Sequence, residues 1–110
     1  REGFAPVIEF YHLLKALPFV ESVHADRESD GFVVWVVVSH TDEQDREQIY
    51  EREWAVMSNY DGIGLDVHLI ERDGRTDADL FTGQHFEITL RVPSSETKAP
   101  VQAGEVVPAV

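Results

Sequence analysis

Residues 32–39 read Phe32-Val33-Val34-Trp35-Val36-Val37-Val38-Ser39. Seven consecutive apolar side chains, mostly β-branched, favour extended backbone over helix. Successive side chains of a strand point to opposite faces. Phe32, Val34, Val36 and Val38 therefore share one face, and Val33, Trp35 and Val37 the other. An apolar run without alternation needs cover on both sides, so this strand is predicted to be central in a sheet.

Upstream, Arg27-Glu28-Ser29-Asp30-Gly31 is a polar turn ending in Asp-Gly, a hairpin signal. It joins the central strand to a looser strand over 19–26. Before that, Val7, Phe10, Tyr11, Leu14 and Leu17 recur at helical spacing. Pro6 at the start and Pro18 at the end bound a predicted helix over 6–17.

Downstream, Thr41 with Gln44 three residues on fits a capping box, and Asp42 and Glu43 suit a helix N-terminus. A helix over 42–59 follows, with Ile49, Tyr50, Trp54, Met57 and Tyr60 as its expected inner stripe. The six acids from Asp42 to Glu53 read as its solvated face. Asp61-Gly62 turns the chain into a strand over 63–70, where Ile63, Leu65, Val67 and Leu69 alternate with Gly64, Asp66, His68 and Ile70. Residues 71–83 read as a polar loop tethered by Leu80 and Phe81. The last strand, 85–92, alternates Phe86, Ile88, Leu90 and Val92 with His85, Glu87, Thr89 and Arg91.

The order α-β-β-α-β-β specifies an α+β domain over 1–92, with two helices on one face of a mainly antiparallel four-stranded sheet. A ferredoxin-like sheet runs strand-helix-strand twice. This chain lacks the first strand and adds a last one, so a circular permutant results if 85–92 hairpins with 63–70 and slips between it and 32–39. The competing arrangement puts 85–92 on the outer edge. Residues 93–110 lose all periodicity and carry prolines, the pattern of an irregular tail. That tail is expected to dock on the sheet or on a partner subunit.

Composition narrows the function. A chain of 110 residues, 43% hydrophobic, holds one core without staples. Having no cysteine, it forms no disulfide, thiolate metal site or thiol nucleophile, and it suits a reducing cytoplasm, the expected location. A net charge of −12 with scattered Arg and Lys opposes nucleic acid and anionic membrane surfaces, so neither is an expected partner. No apolar run approaches the roughly 20 residues of a spanning helix.

One constellation has chemical potential. Asp66-Val67-His68 and His85-Phe86-Glu87 each put an acid and an imidazole on one face of a strand. If the two strands are neighbours, the four side chains come within reach of one metal or of proton transfer. The competing reading is a wet sheet face where acid and His pair for solubility, so no metal or cofactor is expected. Ser39, His40 and Asp42 are merely adjacent, and consecutive strand residues diverge. Gly62-Ile63-Gly64 follows a helix, whereas a phosphate loop precedes one. Glu71, Asp73, Asp77 and Asp79 depart from a calcium-loop order. His12 and His24 carry no signal.

The sequence therefore predicts a non-enzymatic interaction or self-association module. Val33, Trp35 and Val37 are its expected interface, on an open sheet face that a homodimer or protein partner covers. A small enzyme or metal- or ligand-binding protein using Asp66, His68, His85 and Glu87 is the alternative.

Overall fold

The computed structural model describes residues 3–93; the expected docking of the tail lies outside them. Helix α1, Ala5–Leu14, opens with Pro6 in its first turn and buries Val7, Phe10 and Leu14. It ends a turn earlier than its periodicity suggests, yet Leu17 remains in the core. Strands β1, Val20–Glu28, and β2, Gly31–Val38, form the expected hairpin in antiparallel register, with His24 opposite Trp35.

Helix α2, Glu43–Met57, begins at a capping box one residue later than expected: Asp42 is the cap and Asp45 its reciprocal partner. Thr41 is buried instead, donating from its N–H and Oγ1 to Glu71 Oε2 at 3.1 and 3.0 Å. The inner stripe is also rotated. Ile49 and Val56 are buried, whereas Tyr50 is 43% and Trp54 69% exposed. The expected stripe followed the aromatic rings, but helix phase is set by Ile49 and Val56, with Arg52 reaching across to Leu13 O on α1 at 3.2 Å. Positions 50 and 54 then fall on the side away from α1.

Strand β3, Gly64–Glu71, lies parallel to β2 in unbroken register from Gly31↔Gly64 to Val38↔Glu71. The two backbones meet closely at the start: a Cβ on Gly31 would run into the Gly64 carbonyl oxygen. A short third helix, α3, Asp77–Phe81, stands where a polar loop was expected. It carries its own capping box, Thr76 with Asp79. Strand β4 is Ile88–Arg91, only four residues, and pairs antiparallel with β1.

The sheet order is β3-β2-β1-β4. It is mixed, with one parallel pairing and two antiparallel ones. Two expectations are corrected here. Nothing slips between β2 and β3, which hydrogen-bond directly, so the permuted ferredoxin-like order does not form. Nor does β4 hairpin with β3. The long segment 72–87 carries the chain across the sheet to the far edge, and β1 is the strand that offers β4 its free side.

Helices α1 and α2 cover one face, over Val20, Val23, Ala25, Phe32, Val34, Val36, Val38 and Leu65, with Val67, Leu69, Ile88 and Leu90 packed at the margin. The phase expected for β2 holds. Among the described residues, no helix is long and apolar enough to cross a membrane.

Candidate functional site

The face away from α1 and α2 carries Ser22, His24 and Asp26 from β1, Val33, Trp35 and Val37 from β2, Asp66, His68 and Ile70 from β3, and Thr89 and Arg91 from β4. Residues 72–87 roof part of it. Phe81 and Phe86 meet edge to face at 4.8 Å and lie 4.7 and 4.9 Å from the His24 ring. Phe86 also tilts against Trp35 at 5.1 Å. Phe86 was expected among the helix-facing residues; it precedes β4, so strand alternation does not set its direction. This roof is the intramolecular lid that the sequence reading missed, and beneath it Val37 is fully buried.

Side-chain ties hold the roof down. Arg72 donates from Nε to Glu21 Oε1 at 2.7 Å and from Nη2 to Asp77 Oδ1 at 2.6 Å. Asp77 Oδ2 takes Arg91 Nη1 at 2.9 Å. These contacts bridge the roof to β1 and β4, and the Arg72 hydrogen bond holds the Asp77 carboxyl below its usual range.

His24 sits beneath, and nothing in the sequence marked it. Its Nε2 is 2.8 Å from Ser22 Oγ and its Nδ1 is 3.0 Å from Thr89 Oγ1. A neutral imidazole offers one donor and one acceptor, which two hydroxyls satisfy. Burial, then the nearby Arg91 charge, pushes its pKa down to about 4, with Asp77 opposing. The Ser22–His24 contact has the distance of a nucleophile and its base, but Ser22 is only 1% exposed. A substrate carbonyl cannot reach that oxygen, and the far ring nitrogen meets a hydroxyl where a triad has a carboxylate. The pair is a satisfied buried polar group.

The four candidate residues are divided between the two edges of the sheet. Asp66 and His68 stand together on β3, Oδ2 to Nε2 at 3.3 Å, and Trp35 stacks on the His68 ring at 6.0 Å. Their side chains are 62% and 50% exposed. His85 and Glu87 precede β4, beyond β2 and β1. Glu87 is occupied structurally: it accepts from the Arg27 N–H at 2.6 Å and its own N–H donates to Asp26 Oδ1 at 2.8 Å. This exchange extends the β1–β4 ladder by side chains. His85 lines a shallow hollow of about 340 Å³ beside His24, Asp77 and Arg91. Among the described residues, no three His, Asp or Glu side chains are grouped to hold a metal ion. The strands that were to bring the two pairs together are not neighbours.

What remains open lies at the β3 side: Val33 and Trp35, half-buried, with Asp66 and His68 beside them. Comparison with known protein families, with curated proteins and with solved structures gives no match.

Proposed function

We propose that this chain is a non-enzymatic protein-interaction module that self-associates, as a cytoplasmic homodimer, through the unroofed part of its sheet face. Val33 and Trp35 carry the contact; Val37 supports them from beneath the roof. The carrying observation is the arrangement around Trp35. Its indole is held between Phe86 and His68 yet stays partly exposed, a rigid aromatic at the margin of an apolar patch. Aromatic groups held in this way anchor interfaces, because little rotamer freedom is lost on binding. The alternative reading, a small enzyme or a metal- or ligand-binding protein, loses support from the division of its four residues between two edges. It would have to act through Asp66 and His68 alone.

Solution mass by light scattering at about 50 µM tests the proposal, beside Trp35→Glu. The expected outcome is a native dimer that Trp35→Glu converts to monomer or unfolds, with circular dichroism separating the two. A native monomer whose stability Trp35→Glu leaves unchanged refutes it.

A further inference from the structure

Strand β3 is an edge strand eight residues long. The N–H groups of Gly64 and Arg72 donate to β2-side carbonyls, those of Asp30 and Val38, at 2.9 Å each. Backbone polarity alternates along a strand, so the even-numbered residues of β3 turn their N–H and C=O toward β2. Leu65, Val67 and Leu69 turn theirs outward, to the open edge. Of the usual guards, proline, lysine and a bulge in the register with β2 are absent from β3; its two acids are Asp66 and Glu71, and Glu71 is taken up by Thr41.

We infer, on the reading that this chain self-associates, that two copies join antiparallel along β3 with the two-fold axis at Val67. The outward-facing pattern fits this register. Val67 then exchanges both backbone hydrogen bonds with its own copy, and Leu65 does so with the partner chain's leucine at position 69. Asp66 falls opposite the other chain's His at position 68, twice by symmetry, in the non-hydrogen-bonded pairs where side chains come closest. An acid thus meets an imidazole at both sites, and leucine and valine meet leucine and valine on the opposite side of the sheet. A centre shifted to His68 would bring the two imidazoles together and set Asp66 against Ile70, so charge complementarity selects Val67.

Helix α2 supplies the flank. Val56 and Ile49 point to the core and Arg52 to α1, so Tyr50 and Trp54 project on the β3 side. Glu53, between them, lies near enough to Asp66 for that carboxylate to help raise its pKa, after burial. Tyr50 and Trp54 therefore flank β3 from the helix side. Pairing along β3 would bring the two copies of this flank toward each other, which gives the 69% exposed Trp54 cover. The open faces of the two copies become one continuous surface with Trp35 of each on the same side, so this pairing leaves Val33 and Trp35 outside the seam and replaces a face-to-face contact between them, a choice that Trp35→Glu decides.

The test is a charge exchange read by sedimentation equilibrium in 150 mM salt. Asp66→Lys and His68→Glu each set like charges, or cation against imidazole, across the seam. Each single variant is expected to weaken the dimer roughly tenfold or more, and the double variant to return it to within about threefold of native. Both side chains are at least half exposed, and thermal unfolding reports whether each variant is folded. A native monomer overturns both this inference and the self-association reading. A native dimer that neither single variant weakens, or that the double variant fails to restore, overturns the edge pairing alone. Trp35→Glu leaving the dimer intact while the exchange disrupts and restores it would remove the face contact and keep the edge.

Discussion

His24 couples this fold to pH. Its pKa is lowered in the folded chain to about 4 from an ordinary 6.5, so between these values the unfolded chain binds more protons. Stability is then complete above about pH 6.5 and is lost as pH falls toward 4. At pH 5 the loss comes to about 2 kcal/mol relative to pH 7. Asp77 adds a carboxylate contribution present above its unfolded value of 3.8 and lost only below that, so it acts in a lower window. Urea unfolding at pH 7 and pH 5 measures the difference. His24→Leu is expected to lower stability at pH 7, because it strands the buried Ser22 hydroxyl, and to flatten the slope between the two pH values. An unchanged slope in that variant would remove His24 as its source. In the sequence His24 looks like any polar residue of a loose strand. Its meaning depends on Thr89, 65 residues away, and on two phenylalanines that no periodicity aligned with it.

Among the elements, the roof is the least autonomous. Helix α3 is five residues long, buries none of them, and is held by the Arg72 guanidinium between Glu21 and Asp77. Arg72→Met keeps much of the apolar stem and removes these ties. Stability is expected to fall by about 1.5–3 kcal/mol, the range for hydrogen bonds to charged groups. Limited proteolysis should then cut within 72–87 faster than in the native chain, and native-like cutting would show that the aromatic contacts hold the roof alone. The regular elements were legible in the sequence because burial imposes a period on them: β2 from its unbroken apolar run, β3 from its alternation, α1 from its three- and four-residue spacing. Helix α2 was legible in extent but not in rotation, since its two largest aromatics point outward. Segment 72–87 was opaque because its apolar residues, Leu80, Phe81 and Phe86, follow no period. The candidate site failed for the same reason: joining Asp66 and His68 to His85 and Glu87 required β3 and β4 to be adjacent, and local pattern does not reveal which edge a returning strand takes.

For the whole molecule, the net charge of −12 acts against compactness. Raising sodium chloride from 20 to 500 mM screens that repulsion and is expected to lift Tm by about 2–5 °C, since the buried apolar core does not depend on salt. A fall in Tm would mean that the Arg72 and Arg91 ion pairs outweigh the general repulsion. The fold as a whole also decides how many copies can assemble. Its two rims are unequal, eight residues on β3 against four on β4. A sheet with two long bare rims adds copies head to tail and grows into a filament. With only one long rim, pairing of that rim with itself, as inferred above, would leave only the short β4 rims free, so the brevity of β4 would act as an end-stop against fibre formation.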